Sequence, residues 1–290
     1  MPADPGPLVQ RRRLGAALRQ HREAAGMTAK EAADRLLSPP SKISRIETAE
    51  RAASPRDVRD LCDIYGITDD EVRRQLMALA VEARERGWWQ GAGLQPALER
   101  LIGLEGAAGR ISEFEPLLVP GLLQTPEYAR AMLDMFGSAD PAVRDKALRI
   151  RLRRQELLSA ADPPVFSFVI DEAVVRRMVG GAEVMRSQLE HFLAVAAVPH
   201  VSLRVVPFDA GAHHGMFQGF EMVDFPDDAN GMRIPGLVFF ENLYDGQTVD
   251  DAARIHGFAE AFKKIQDVAL TQRESVDLLR RAKESVESLR

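Results

Sequence analysis

The stretch Gly26–Glu50, GMTAKEAADRLLSPPSKISRIETAE, limits what this chain can be more than any other part of it. It reads as two short helices joined by a tight turn. Thr28 followed by Glu31 predicts a capping box, in which each side chain takes an orphan amide of the helix start. Ala32, Ala33 and Leu36 give the first helix an apolar side. Ser38-Pro39-Pro40 punctuates, with Ser38 as the expected N-cap and Pro39 tolerated in the first turn, where its missing N–H costs nothing. Ile43 and Ile46 share one face of the second helix. Ser41, Lys42, Ser44 and Arg45 fall largely on the other. A buried isoleucine stripe behind a small-polar and basic face has the chemistry of a major-groove reader. Taken alone, the same residues suit a helical hairpin with a solvated charged face equally well.

Residues 10–67 as a whole resemble the phage-repressor-like, xenobiotic-response-element type of helix-turn-helix domain. The resemblance is carried by L-R-x-x-R-E-x-x-G-M-T at Leu18–Thr28 and S-K-I-S-R-I-E at Ser41–Glu47. S-P-x-x-V-R-x-L at Ser54–Leu61 and Tyr65-Gly66-Ile67 complete it. It implies a five-helix domain that docks its third helix in the major groove of operator DNA. On that basis Ser41, Ser44 and Arg45 are expected to face the bases, with Lys30, Lys42 and Arg51 on phosphates. Thr28, Ser38 and Pro40 belong to the same interface. Arg11 and Arg12, where the first helix opens, are placed to grip phosphate. The resemblance assigns Arg22 and Glu47 to a structural ion pair rather than to DNA. This chain departs from many relatives by placing Ala29 where a phosphate-binding Gln is usual. Pro40 stands where a polar base reader is common. The loop Thr48–Ala53 has Glu50 and a single basic residue, Arg51, so phosphate affinity is expected to be modest unless a homodimer doubles it.

Charge supports a split molecule. The chain carries a formal −5, yet Leu8–Arg51 holds ten Lys/Arg against five Asp/Glu, which leaves −10 for the rest. A basic head on an acidic body is the distribution expected if only the head meets phosphate. Cys62 is the only cysteine. This excludes a disulfide or a cysteine-rich zinc site and suits a reducing cytoplasm. The N-terminus lacks the apolar segment of a signal peptide, and no run approaches the roughly 20 apolar residues of a membrane helix. The expected location is the cytoplasm, on the nucleoid when DNA-bound, with no membrane association.

Along the chain, residues 1–8 read as a loose arm, followed by a helix from Arg11 to Ala25 capped by Gly26. A helix over Ser54–Gly66 opens with its own capping signature. A third capping box, Thr68 with Glu71, opens a helix running to about Arg86. Gly87-Trp88-Trp89-Gln90-Gly91 breaks the pattern. Two tryptophans there predict a packed joint, because a flexible linker would lack aromatics. The domains are therefore 1–86, helix-turn-helix, and 87–290. Residues 95–160 read as helical, Ile111 and Phe114 included, and Thr125-Pro126-Glu127 starts a helix through Phe136. The basic run Arg149–Arg154 reads as a solvated face, because Leu148, Leu152 and Leu157 define a core side. From Pro163 the texture changes. Strands are expected at 165–170, 201–206, 217–223 and 237–240, with helices near 183–198, 250–268 and 275–289. The fold class is an all-α helix-turn-helix domain followed by a larger α/β (α+β) domain.

The body also resembles a known family. V-P-G-L-L-Q-T-x-x-Y-A-R at Val119–Arg130 and R-L-R-R-Q at Arg151–Gln155 match the large domain fused to such heads in actinobacterial regulators, among them the WhiJ-like developmental repressors. D-E-A at Asp171–Ala173 and V-V-P-F-x-x-G-A-H at Val205–His213 match it too. The resemblance implies an antitoxin-like transcriptional regulator whose DNA binding is altered by a small adjacent-gene partner protein. It supplies no catalytic residue and no cofactor. His213 and His214, in a Gly-flanked loop, are the candidate ligand or partner contact. The chain has no H-E-x-x-H, no G-x-S-x-G and no Gly-rich phosphate loop, and no metal ligands are assigned. The alternative left open is a metal-dependent or hydrolytic enzyme with a DNA-targeting head.

Overall fold

The head is built where capping and apolar spacing agree. In a computed structural model, which describes residues 6–91, 93–226, 236–242 and 245–288, five helices make it up: α1 (Pro7–Ala24), α2 (Ala29–Arg35), α3 (Pro40–Glu47), α4 (Pro55–Ile64) and α5 (Asp70–Glu82). Thr28 and Glu31 form the reciprocal capping box of α2, and Ser54 and Asp57 that of α4. Leu14, Leu18, Ile43, Ile46, Val58, Leu61 and Cys62 close one buried core. α1 crosses the end of α3 at Gly15, where a Cβ would lie 2.6 Å from the Ile46 carbonyl oxygen. Only glycine permits that approach.

Several expectations for the head need correction. The N-cap of α3 is Pro39, and the Ser38 hydroxyl is buried without a hydrogen-bond partner among the described residues. α5 is capped by Asp69, which accepts from the Glu71 and Val72 amides, instead of by Thr68, and it ends at Glu82. The loose arm expected over 1–8 lies outside the described residues for 1–5. From Pro7 onward it is helix, and Val9 is buried.

The body is a six-stranded mixed sheet in the order β3-β2-β1-β4-β5-β6. Its strands are β1 (Arg110–Glu115), β2 (Val165–Asp171), β3 (Val201–Val206), β4 (Phe220–Asp224), β5 (Leu237–Glu241) and β6 (Gly246–Val249). β1, β2 and β3 are parallel, and the remaining pairings are antiparallel. β1 falls inside the stretch expected to be helical, β6 has no counterpart among the expected strands, and β4 begins at Phe220 rather than 217. Seven helices complete the body: α6 (Pro96–Glu105), α7 (Pro126–Phe136), α8 (Pro141–Gln155), α9 (Glu172–Arg176), α10 (Ala182–Val195), α11 (Ala252–Val268) and α12 (Gln272–Glu287). One sheet face packs Phe166, Phe168, Ile170, Leu203 and Val205 against α10 and α12. The other packs Phe114, Val169, Phe220 and Met222 against Phe262 and Ile265 of α11. The edge strand β3 is blunted by α12, whose Gln272 and Ser275 side chains accept the Leu203 and Val205 amides. Covering an edge in this way removes a template for unwanted strand pairing.

Head and body share an element. The core that holds Leu14 and Leu18 belongs to the head, but Val9, two turns earlier on α1, is packed with Leu101, Leu104, Val223, Leu237 and Phe239 of the body. Trp89, 5% exposed, fills the joint against Ile102 and Ile150. Trp88 meets it edge-on and carries the Arg153 guanidinium on its other contact, 4.5 Å from the ring centre.

Candidate nucleic-acid interface

α3 presents the surface. Ile43 and Ile46 anchor it in the core at 1% and 2% exposure, and Pro40, Ser41, Ser44 and Arg45 are exposed. The far end of α3 is fixed by Arg22, whose Nε and Nη2 donate to the Glu47 carboxylate at 2.7 and 2.9 Å. Arg22 Nη1 also donates to the Met27 carbonyl at 2.7 Å. Both side chains are nearly buried. A bidentate pair of this kind sets geometry as well as charge. α3 is bracketed by two non-glycine residues in the left-handed region, Leu37 (φ 50) and Ala49 (φ 62). Such a backbone costs on the order of 1 kcal/mol per residue and persists only where its surroundings hold it.

The candidate phosphate contacts divide. Thr28, Lys30 and Arg51 are exposed, and Thr28 also caps α2. Lys42 is withdrawn: its Nζ donates to Asp57 at 2.5 Å and the side chain is 18% exposed. Burial pushes the Asp57 carboxyl up, and the Lys42 and Ser54 hydrogen bonds outweigh it, holding the pKa below the usual carboxylate value. Arg12 is withdrawn further. It is buried against the body, with Nη2 3.6 Å from Asp250, which Arg100 also contacts at 2.5 Å. Burial first, then the Arg100 charge, lowers the Arg12 pKa to about 10, with Asp250 pulling it back up. Arg11 is half-buried and donates to the Ala83 carbonyl. Arg11 and Arg12 therefore border the joint. A cleft of about 320 Å³ opens there, lined by Arg11, Arg100, Thr48, Glu50, Trp89 and Gln90. It puts the loop that trails α3 beside the joint.

In the body, the unusual sequence motifs meet one another. The turn-rich segment Val119–Gln124 buries Val119, Leu122 and Leu123, so its backbone polar groups need protein partners. Gln124 donates to the Val119 carbonyl, and Gln188 donates to the Leu123 carbonyl while accepting from the Thr125 amide. Gln155 donates to the Gly121 and Gln124 carbonyls, Arg151 to the Gln124 side chain, and Val119 N–H to the Tyr128 hydroxyl. Asp171 caps α9 and lies 3.4 Å from His213, and Glu172 accepts from the Phe208 amide. The four sequence motifs thus bond to one another, and Gln124 and Gln155 among them satisfy buried backbone.

Beside them lies a buried ionic cluster that the sequence did not announce. Arg154 of α8 donates from two nitrogens to Glu105 of α6, one bond at 2.9 Å, and lies 3.4 Å from Glu221 of β4. Glu113 of β1 stands directly across the strand pair from Glu221. All three glutamates are at least 95% buried. Glu113 Oε2 and Glu221 Oε1 have no hydrogen-bond partner among the described residues. Burial above all pushes the Glu113 carboxyl up to about 8, against the pull of Arg154. Burial, with Glu105 and Glu113, raises Glu221 as well.

The histidine loop separates its two members. His214 is exposed, whereas the His213 side chain is 5% exposed and committed on both nitrogens, to Asp171 and to the Gly215 amide. His213 is thus held inside the loop, and His214 is the member of the pair left on the surface. Among the described residues no three His, Cys, Asp or Glu side chains converge as metal ligands would, and no helix is long and apolar enough to cross a membrane.

Residues 13–75 match a family described as a helix-turn-helix domain, and residues 98–281 match one described as a domain of unknown function, DUF5753. No curated protein and no solved structure matches the chain.

Proposed function

The chain belongs to the DUF5753 family, and from that membership, joined to a helix-turn-helix head, we propose a sequence-specific transcriptional regulator of the xenobiotic-response-element and WhiJ-like type. The observation that carries the reading is α3 itself, with two isoleucines locked in the core and Ser41, Ser44 and Arg45 left outward. That division frees the polar face of one helix for base edges in the major groove. Lys30 and Arg51 serve phosphates. Arg45→Ala is expected to weaken operator binding by about 1–3 kcal/mol, the worth of a bidentate contact to guanine. The loss should concentrate at one base pair. Equal affinity of variant and wild type for a selected operator at physiological salt removes Arg45 from the readout.

The regulator acts in the cytoplasm as a homodimer, and its body receives a signal rather than performing chemistry. Gln124 and Gln155 of the body's motifs are spent on buried backbone, and His213 has both ring nitrogens engaged, which supports a receptor over a catalyst. The signal is a small adjacent-gene partner protein, in the manner of antitoxin-like regulators. If that partner alters DNA binding, DNA must alter partner binding by the same coupling energy, typically about 1–3 kcal/mol. Titrating the partner with and without operator measures it. Identical affinities in the two titrations remove this mode of regulation.

A further inference from the structure

The head is short of phosphate contacts. Arg12 is consumed by the body, Lys42 by Asp57, and the loop after α3 carries Glu50. Cations missing from the head are found on the body. On α8, Lys146, Arg149 and Arg153 follow each other at helical spacing, and all three are exposed. None has a carboxylate partner among the described residues. Their neighbours Arg151 and Arg154 are turned inward, Arg151 to Gln124 and Arg154 into the buried ionic cluster. Lys146 Nζ donates to the Gly91 carbonyl at 2.5 Å, and Arg86, also exposed, reaches the same glycine. Arg153 lies over Trp88, which is 38% exposed. The strip thus runs from α8 onto the joint, and the joint shares the 320 Å³ cleft with the loop that trails α3. Three cations on one face of a helix, next to the joint that shares a cleft with the loop after α3, have charge complementarity to a phosphate backbone.

We propose that Lys146, Arg149 and Arg153 form a second DNA-contacting surface, which holds the phosphate backbone flanking the site read by α3. The proposal rests on the operator-binding reading of the head and adds the body to the interface. Seven residues of α8 separate the first cation from the last, about 10 Å of helix, which matches roughly three nucleotide steps along one strand. Contacts of this kind carry no sequence information; they add affinity and fix the orientation of the head on the duplex. Glu156, beyond the end of the strip, and Glu85, beside Arg86, mark where the favourable surface ends.

The test uses the full chain and a duplex selected by it from a random-sequence library. The variant Lys146→Gln/Arg149→Gln/Arg153→Gln is expected to bind the site in a long duplex roughly tenfold or more weakly at low salt. Its plot of log affinity against log salt should flatten by about two to three units. Trimming the flanking base pairs should cost the wild type affinity and leave the variant unchanged. Arg149→Glu alone, at a side chain with no hydrogen bond or ion pair among the described residues, should shift affinity in the same direction and guards against a folding defect. An unchanged salt slope together with wild-type dependence on the flanks overturns the proposal. Arg45→Ala reports on the head separately: it should lose base discrimination and keep the flank dependence. A wild-type chain without sequence preference, but with a slope that falls in the triple variant, would sink the operator reading and leave the strip standing.

Discussion

Arg154→Met is expected to destabilise the body by about 3–5 kcal/mol, because it strands buried carboxylates around an apolar side chain. Arg154 is the only cation in contact with Glu105 and Glu221 among the described residues, and it sits 9% exposed between them. Urea unfolding at two pH values reads the effect and its origin together. In the wild type Glu113 takes up its proton at about 8 when folded, against an ordinary value of 4.5. A carboxyl with a raised folded pKa contributes stability that is complete below the unfolded value. That contribution is lost as pH rises toward the folded value. Wild-type stability should therefore decline from about pH 4.5 to about 8 and level off above, and Glu113→Gln should flatten that decline. A cost below about 1 kcal/mol at neutral pH, typical of an exposed pair, would contradict the cluster.

Arg22→Met is expected to have an effect of similar size in the head, about 3–5 kcal/mol, by leaving the Glu47 carboxylate buried without its partner. The consequence reaches function, since Glu47 is the last residue of α3 and Arg22 ties that end to α1. DNA affinity should fall even though neither residue faces DNA. The double variant Arg22→Met/Glu47→Leu should recover most of the stability, because an apolar pair of similar volume replaces the ionic one. If Arg22→Met and Glu47→Leu each melt like wild type, the pair is ornamental and α3 is held by Ile43 and Ile46 alone.

These two sites differ in how far they could be read in advance. The Arg22–Glu47 pair came from resemblance over a stretch whose local signals agreed. Capping boxes at Thr28–Glu31 and Ser54–Asp57, isoleucines three apart and a left-handed Gly26 after the first helix all act within a few residues. The Arg154 cluster depends on contacts between α6, α8, β1 and β4, and its residues imitate a surface. β1 reads Arg-Ile-Ser-Glu-Phe-Glu, and Glu113 and Glu115 lie on the same sheet face as buried Ile111. Charge at alternate positions signals solvent under the usual strand pattern, so the stretch does not read as a buried strand. β6, Gly-Gln-Thr-Val, is too short and polar to announce itself. Arg12 is hard to place from sequence for the opposite reason. A basic triplet beside a helix-turn-helix looks like a phosphate grip until the chain returns Asp250 to Arg12. In the body the motifs were visible as text, but their purpose was not, because hydrogen bonds from Gln155 and Gln188 to a remote backbone leave no periodic trace.

The placement of Val9 and Leu14 on one helix bears on how such regulators can be recombined. A gene fusion cut at the tryptophan joint looks clean on paper, yet the seam between the two halves runs lengthwise through α1. Its opening turns match the sheet of the body, and its later turns match the recognition helix. A foreign head grafted after residue 86 would bring an opening turn fitted to some other body, and Leu101, Val223 and Phe239 would be left facing water. Heads and bodies of this architecture should therefore travel through evolution as matched sets, and a working chimera needs its crossover inside α1, between Val9 and Leu14, as well as at the joint.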